Sequence, residues 1–117
     1  YFNGSLVAYQ NELKEKYLQV SRKILNQHGA VSEPTVHQMA QTVRTMLNAD
    51  FGLAVSGIAG PSGGNPQKPV GTVWIALADE MGVEAQKLQL GNEREINIKL
   101  SAVRVIDLLR KRLVNVK

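Results

Sequence analysis

The sequence predicts an α/β fold, in which helices cover both faces of a sheet in a three-layer α/β/α sandwich. Its hydrophobic periodicity changes along the chain, from one strand-like run through helical segments to three strand-like runs and a last helix. The length of 117 residues, with 44% hydrophobic and 21% charged residues, suits one soluble globular domain. A glycine-rich loop between two of the apolar runs is the most distinctive local feature.

The first half of the chain predicts one strand and three helices. Residues 4–9 have the character of a strand, and Asn11 is suited to cap a short helix after it. A second short helix is predicted over residues 21–27, with Gly29 in the position that ends it. Ser32 has the position of an N-cap before a longer helix. The apolar face of that helix follows a 3.6-residue repeat: Val36, Met39, Ala40, Val43 and Leu47.

The second half predicts three strands and a closing helix. Residues 51–56 form a short apolar run, and residues 70–78 form a second one, rich in β-branched and aromatic side chains. Residues 79–82 are typical of a hairpin connection, which leads to a strand at residues 83–90. Because neither side of that strand is cleanly apolar, we expect it to be an edge strand. We expect a mixed sheet, antiparallel between these last two strands and parallel in part. The last helix is predicted to share one apolar face: Ile98, Ala102, Val105, Ile106, Leu109 and Leu113.

Composition excludes several classes of protein. No apolar run approaches the roughly 20 residues that a transmembrane helix needs, so we expect no membrane partner. The absence of cysteine excludes disulfides, thiolate zinc sites and cysteine nucleophiles. Reducing cytoplasm is the expected compartment. His28 and His37 have no acidic or histidine partner at metal-ligand spacing, and a capping or solvated role suits both better.

The net charge of +4 is concentrated at one end of the chain. Residues 94–117 carry seven basic side chains and two acidic ones, which could attract nucleic acid or a phosphorylated ligand. A solvated helix face explains the same pattern, with cations complementing the helix C-terminus. Because aromatic residues are scarce and no stacking platform is visible, we do not expect a nucleic-acid partner.

The glycine-rich loop is the first candidate site. Residues 57–70 contain four glycines and three prolines, which allow close backbone approach to a ligand and fix the turns around it. The loop has no Gly-Lys-Ser/Thr ending of a P-loop and no GxGxxG, and it leads into a strand. Two interpretations stay open from composition: a nest of backbone amides at residues 60–64 for an anion or oxyanion, or a long turn that needs glycines for its own geometry.

The second candidate is Tyr9 with Lys14, five residues apart across a predicted strand-to-helix turn. A lysine that is partly desolvated at such a turn can have a lowered pKa and act as a general base. On spacing alone, a surface lysine beside Glu12, Glu15 and Lys16 is the favoured interpretation.

Three segments together resemble the CinA C-terminal domain family of competence/damage-inducible proteins, whose stand-alone members are nicotinamide mononucleotide deamidases of the PncC type. They are VAYQNELK at residues 7–14, HGAVSE at 28–33 and AVSGIAGPSGGNPQKPVGTVWIAL at 54–77. The resemblance covers nearly the whole chain in order and spacing, and the string GIAGP-x-GG…KPVGTV is long and specific.

The resemblance implies an α/β/α fold and hydrolysis of nicotinamide mononucleotide to nicotinic acid mononucleotide and ammonia. It implies a serine nucleophile assisted by lysine and tyrosine, with no metal or other cofactor. The catalytic tyrosine and lysine of its Y-x-NE-x-K motif fall on Tyr9 and Lys14. The implied substrate-binding residues are Gly57, Ala59, Gly60, Pro61, Ser62, Gly63, Gly64, Lys68 and Arg94.

The sequence departs from the family pattern at two places. The family nucleophile lies in a Ser-x-Thr-Gly-Gly segment before the tyrosine strand, and this sequence begins at Tyr1, just before that strand. We therefore expect residues 1–117 to form a single domain that lacks its first strand and helix, and not to hydrolyse the amide by themselves. Arg94 matches a family arginine with a one-residue offset, so a phosphate contact and an exposed position are both open.

Two functions follow as alternatives. The first is a nicotinamide-nucleotide amidohydrolase domain in pyridine nucleotide salvage, with nicotinamide mononucleotide as its small-molecule partner. The second is a non-catalytic interaction module related to competence or DNA damage. The resemblance also implies a homo-oligomer, for which the predicted edge strand at residues 83–90 offers one route.

Overall fold

The computed structural model describes residues 21–58, 60 and 64–115. Within them lie the helices α1 (Arg22–His28), α2 (Glu33–Met46) and α3 (Arg94–Asn115). The strands are β1 (Gly52–Gly57), β2 (Thr72–Asp79) and β3 (Gly82–Gln89). The strand predicted at residues 4–9 and the helix capped by Asn11 lie outside the described residues.

The described strands form one sheet in the order β1-β2-β3, with both pairs antiparallel. Gly52 pairs with Ala78 and Gly57 with Val73, while β2 and β3 meet at the tight Asp79–Gly82 hairpin. The predicted antiparallel pairing of β3 with β2 is confirmed, and β3 is an outer strand of the part of the sheet that the structure describes. A parallel pair would need the strand at residues 4–9, so the mixed character of the sheet stays a prediction.

Helices lie on both faces of this sheet, which confirms the three-layer α/β/α arrangement. Alternation along β2 sends Trp74, Ala76 and Ala78 to one face and Val73, Ile75 and Leu77 to the other. One core joins α1 and α2 to the first face: Leu25, Val36, Met39, Ala40, Ala54, Ala76 and Ala78. The other joins α3 to the second face: Val73, Ile75, Leu77, Leu88, Val105 and Leu108. Because the first sheet face carries mostly alanines, α2 can approach the strands closely.

Several element boundaries differ by one or two residues from the prediction, and two of these differences have a local cause. The helix α1 ends at His28 rather than at residue 27, and Ser21 caps it, because the Ser21 hydroxyl accepts a hydrogen bond from the Ile24 N–H at 3.1 Å. The strand β2 begins at Thr72 rather than at residue 70, since Gly71 turns with φ +90°. The Gly71 N–H donates to the Ile58 carbonyl at 2.7 Å, which closes the loop before the strand starts.

The apolar face predicted for the last helix was partly wrong. Val105 is buried, but Ile98 and Ile106 are 50% and 56% exposed, and Leu113 is also exposed. The buried side instead runs through Asn97, Ser101, Val105 and Leu108. The physical reason is local hydrogen bonding: the Asn97 amide donates to the Gly91 carbonyl at 2.8 Å, and the Ser101 hydroxyl donates to the Asn97 carbonyl at 2.7 Å. Polar side chains that form such hydrogen bonds can lie on the buried face.

Among the described residues, none of the helices has the length and hydropathy that crossing a bilayer requires.

Candidate functional site

The segment between β1 and β2, residues 58–71, is called the glycine loop, and hydrogen bonds at both of its ends join it to the sheet. The Ile58 N–H donates to the Thr72 carbonyl at 2.9 Å, which continues the β1–β2 ladder. The Leu90 N–H donates to the Gly71 carbonyl at 2.7 Å, and the Thr72 hydroxyl donates to the Pro69 carbonyl at 2.7 Å. All three strands therefore hold the loop at one end of the sheet, as a rigid frame holds a binding loop.

The second half of the loop is a compact turn built on Asn65. The Asn65 side-chain oxygen accepts hydrogen bonds from the N–H groups of Gln67 at 3.0 Å and Lys68 at 2.8 Å. The Asn65 N–H in turn donates to the Lys68 carbonyl at 3.0 Å. This pattern is an Asx turn, which fixes the backbone locally. Lys68 is thereby held at a defined point in the loop.

Two glycines of the loop are required by close packing inside it. Gly60 has φ +96°, and a Cβ there would lie 2.5 Å from Val70 Cγ1. A Cβ on Gly64 would lie 2.5 Å from the Val70 backbone nitrogen. The geometry of the loop thus needs glycine at both positions whatever it binds. The interpretation as a turn is supported for these two residues, and the interpretation as an anion nest stays a prediction.

Arg94 lies beside this loop at the first residue of α3. Its Nη1 is 3.4 Å from the Gly60 carbonyl oxygen. A Cβ on Gly60 would also lie 3.2 Å from the Asn92 carbonyl oxygen, so the loop reaches the segment that leads into α3. The structure therefore places the guanidinium of the exposed Arg94 next to Gly60, and a guanidinium is suited to bind an anionic group.

On its other side, the loop contacts the turn between α1 and α2. We call residues His28, Gly29 and Ala30 the carbonyl turn, because side chains from elsewhere bind its three successive carbonyl groups. Lys68 Nζ donates to the His28 carbonyl at 2.5 Å, and the Ser56 hydroxyl donates to the Ala30 carbonyl at 2.7 Å. The turn thus connects the loop and the end of β1 to the helical layer.

The central carbonyl of this turn is bound from α2. The Thr35 hydroxyl donates to the Gly29 carbonyl at 2.7 Å, and the Ser32 hydroxyl oxygen lies 2.9 Å from the same atom. Ser32 has the N-cap position that the sequence predicts, but its side chain makes no cap hydrogen bond to the helix backbone. Gly29 has φ +81° at the end of α1, as the sequence predicts. Ser32 and Thr35 thus close the turn rather than cap α2.

The predicted site residues divide into those the structure describes and those it does not. Gly57, Gly60, Gly64 and Lys68 lie at the end of β1 or in the loop, and Arg94 lies beside Gly60. Outside the described residues are Tyr9, Lys14, Ala59, Pro61, Ser62 and Gly63. Sequence reasoning missed the side-chain contacts of Ser56 and Thr35. The signal that could have found the Thr35 contact is a helix-ending glycine followed by Ser-x-x-Thr.

An ion-pair cluster that shifts the pKa of a carboxyl group lies at the opposite end of the sheet. There Arg112 of α3 pairs with Asp79 and, through Nη2, with Glu84 Oε1 at 2.8 Å. Burial opposes ionisation of Asp79, but hydrogen bonds from Arg112 and the Met81 N–H outweigh it and lower the pKa of that carboxyl. Among the described residues, no group of three or more acidic or histidine side chains is arranged to hold a metal ion.

Comparison with known proteins decides the family. A family model described as CinA C-terminal domain matches residues 1–113. The chain belongs to the CinA C-terminal domain family. A CinA-like protein of Cytophaga hutchinsonii is 51% identical over 100% of the chain. The protein of Shewanella oneidensis named nicotinamide-nucleotide amidohydrolase PncC is 48% identical over 98% of the chain. The chain spans 27–28% of the length of these two relatives.

Solved CinA-superfamily structures share the fold. The competence damage-inducible protein A of Klebsiella pneumoniae matches with a TM-score of 0.86 and 32% identity, covering 91% of this chain and 66% of that one. The competence/damage inducible protein CihA of Agrobacterium tumefaciens matches with a TM-score of 0.80 and 36% identity, covering 88% of this chain and 64% of that one. The α/β arrangement of the CinA C-terminal domain described above is therefore a known one.

Proposed function

We propose that this CinA C-terminal domain is part of a nicotinamide-nucleotide amidohydrolase, which converts nicotinamide mononucleotide and water to nicotinic acid mononucleotide and ammonia. The structural observation that carries the proposal is the placement of Arg94 Nη1 3.4 Å from the Gly60 carbonyl, which sets a cation beside the glycine loop. The 48% identity to a Shewanella oneidensis protein named for this activity supports the same choice of substrate.

In the proposed reaction Lys14 and Tyr9 activate a serine nucleophile. Neutral Lys14 takes the proton of the serine hydroxyl as its oxygen attacks the carboxamide carbon, while Tyr9 orients or relays that proton. The proton then passes to the leaving nitrogen, the C–N bond breaks and ammonia departs. A water molecule activated in the same way cleaves the resulting ester and releases the carboxylate product. The chemistry needs no metal or cofactor.

We assign substrate binding to the loop and to Arg94. Backbone N–H groups in the segment containing Gly57, Ala59, Gly60, Pro61, Ser62, Gly63 and Gly64 hold the substrate or stabilise the tetrahedral oxyanion. Arg94 contacts the phosphate, because a guanidinium matches phosphate oxygens in pairs. The close approach of the loop to Asn92 and Arg94 supports this division of roles.

The nucleophile and the assembly also belong to the proposal. Residues 1–117 form part of one domain, and the serine comes from a strand and helix that precede them in it. The match supports this, because it covers only 64–66% of two related solved chains. We also propose that the protein self-associates through the edge of β3. We further propose a location in the reducing cytoplasm, which the lack of cysteine supports.

The alternative is a non-catalytic interaction module related to competence or DNA damage. Its support is the naming of related proteins, such as the competence/damage inducible protein CihA of Agrobacterium tumefaciens. A basic α3 gives such a module a means of attracting nucleic acid. DNA binding that weakens steeply with salt, together with no ammonia release, is the result that favours it.

Ammonia release from nicotinamide mononucleotide by the full-length protein that carries this sequence tests the enzyme. We expect Lys14→Ala to lower kcat by about 10²- to 10⁴-fold, the usual contribution of a general base. Lys16→Ala is the matched control, since it removes a neighbouring lysine outside the motif, and it should leave the rate unchanged. No release by the unmodified protein, or an equal effect of both substitutions, contradicts the proposal.

A further inference from the structure

Side chains from three different parts of the fold bind the carbonyl turn. Its three successive carbonyls accept hydrogen bonds from the glycine loop through Lys68, from α2 through Thr35 and from β1 through Ser56. Thr35 is fully buried and Ser56 is 8% exposed, so two of the three contacts are part of the packed interior. The contact of Lys68 is the one that extends this interior network to the loop.

Lys68 contacts a residue that is distant in the sequence and close in the folded structure. Its ammonium lies 2.5 Å from the His28 carbonyl, 40 residues away in the chain. His28 is the last residue of α1, where backbone carbonyls have no further helical partner and carry the negative end of the helix dipole. A cation is therefore the favoured donor at this position. The half-buried side chain bridges the loop and the helix.

The Asx turn transmits this restraint to the glycines. The Lys68 N–H and carbonyl are both bound to Asn65, at 2.8 and 3.0 Å, and Asn65 directly follows Gly64. On the far side, the same loop meets Arg94 at Gly60. The loop is thus held from both sides, by α1 through Lys68 and by the start of α3 through Gly60.

We propose that Lys68 is a positioning residue, which ties the glycine loop to the carbonyl turn and keeps Gly60 beside Arg94. This assignment differs from the substrate contact that the family resemblance implies for Lys68. Its catalytic consequence rests on the proposed amidohydrolase function, whereas the tie itself does not. The segment HGA at residues 28–30 gains a role as the anchor of the loop.

Hydrogen exchange in the full-length protein tests the tie directly. Lys68→Met keeps the apolar stem of the side chain and removes its donors, so the amides of Asn65, Lys68 and Gly71 should exchange about fivefold faster. Lys68→Arg restores a charged donor and should return most of the protection. Lys23→Met, at an exposed lysine of α1, is the matched control and should leave these amides unchanged. Unaltered exchange in Lys68→Met overturns the tie.

Gly29→Ala separates positioning from substrate contact. A Cβ on Gly29 would lie 2.9 Å from Lys68 Nζ, at a residue with φ +81°, so the added methyl should displace the ammonium from His28. Gly29 belongs to the turn and not to the loop. If Lys68 acts by position, each single variant should raise KM for nicotinamide mononucleotide about fivefold with a smaller change in kcat, and the double variant should add little more.

The outcomes separate the two proposals. A raised KM in Lys68→Met without any effect of a folded Gly29→Ala indicates direct substrate contact and overturns the positioning role. Should Gly29→Ala not fold, exchange in Lys68→Met against Lys68→Arg still decides the tie. Failure of the unmodified protein to hydrolyse nicotinamide mononucleotide removes the proposed function, while the exchange result continues to confirm or overturn the loop anchor.

Discussion

Close approach between backbones determines which single residues the fold tolerates. Gly52, the first residue of β1, lies where α2 crosses the strand, and a Cβ there would overlap the Ala40 carbonyl oxygen and lie 2.8 Å from Arg44 Cβ. Both neighbours belong to a packed helix, so neither can move without disturbing the core. A glycine in a strand is otherwise unfavourable, and this contact explains its presence.

Gly52→Ala should lower the free energy of unfolding by about 2 kcal/mol, because the methyl forces α2 away from the sheet. Urea denaturation followed by circular dichroism measures the change. Gly91→Ala is the matched control, since a Cβ on Gly91 meets nothing within 4 Å. Equal stability of the two variants would contradict the close packing of α2 on β1.

Arg94 is the residue on which the proposed phosphate contact depends. Arg94→Gln should raise KM for nicotinamide mononucleotide about tenfold, as expected for loss of a charged hydrogen bond, and should leave the unfolding free energy nearly unchanged. Kinetics with nicotinamide riboside, which lacks the phosphate, should show no difference between the variant and the unmodified protein. Arg104→Gln, at an exposed arginine of the same helix, controls for charge. A proportional loss on both substrates would remove the phosphate role.

At the scale of elements, α3 is attached to the hairpin by an ion-pair cluster. Arg112 is 23% exposed and contacts both Asp79, 8% exposed, and Glu84. Asp79 also accepts the Met81 N–H at 2.9 Å, so one carboxylate stabilises the turn and the helix end together. A partly buried carboxylate that accepts two hydrogen bonds contributes more to stability than an exposed surface ion pair does.

The lowered pKa of Asp79 makes this attachment dependent on pH. The pKa of Asp79 is lower in the folded protein than in the unfolded chain, where it is about 4. The ionised Asp79 therefore stabilises the folded protein fully above the unfolded pKa, and this stabilisation is lost as pH falls through the folded pKa. Asp79→Asn should cost about 1 kcal/mol at pH 7 and less at pH 2. Urea midpoints at both pH values measure this difference.

Asp107→Asn is the control for the hairpin prediction. Asp107 pairs with Arg110 at 2.5 Å and Lys111 at 3.4 Å on the exposed surface of α3 alone, where solvent screens the charges. Its removal should change the urea midpoint less than Asp79→Asn does at pH 7. A midpoint difference for Asp79→Asn that stays constant from pH 7 to pH 2 would show that its carboxylate charge is unimportant.

The helices and strands were predictable to the extent that apolar side chains report burial. The face of α2 follows from Val36, Met39 and Ala40, which are buried as their spacing predicts. The face of α3 does not, because Asn97 and Ser101 are buried through local hydrogen bonds that apolar periodicity cannot register. The start of β2 was missed because Gly71 belongs to a turn set by its bonds to Ile58 and Leu90.

At the scale of the whole molecule, the two ends of the sheet have different roles. The eight residues of β2 span roughly 23 Å, from the base of the glycine loop at Thr72 to the ion-paired hairpin at Asp79. Substitutions at the hairpin end should therefore change stability without changing KM. Substitutions of Lys68 or Arg94 should change KM with little effect on stability.

The candidate site was predictable in its location but not in its connections. The glycine and proline content of residues 57–70 predicts a loop, and the structure places that loop between β1 and β2. The partner of Lys68 is a backbone carbonyl 40 residues earlier, and Arg94 reaches Gly60 across 34 residues. Such contacts arise only when the layers pack, and no local pattern encodes them.

The central claim is that this CinA C-terminal domain belongs to an enzyme that cleaves the carboxamide of nicotinamide mononucleotide. The most direct measurement is a time course with the full-length protein, in which chromatography identifies the nucleotide product and a coupled assay measures ammonia. Hydrolysis of the carboxamide should give nicotinic acid mononucleotide and ammonia in equal amounts. Release of free nicotinamide, which indicates cleavage of the glycosidic bond, or no consumption of the nucleotide, would contradict it.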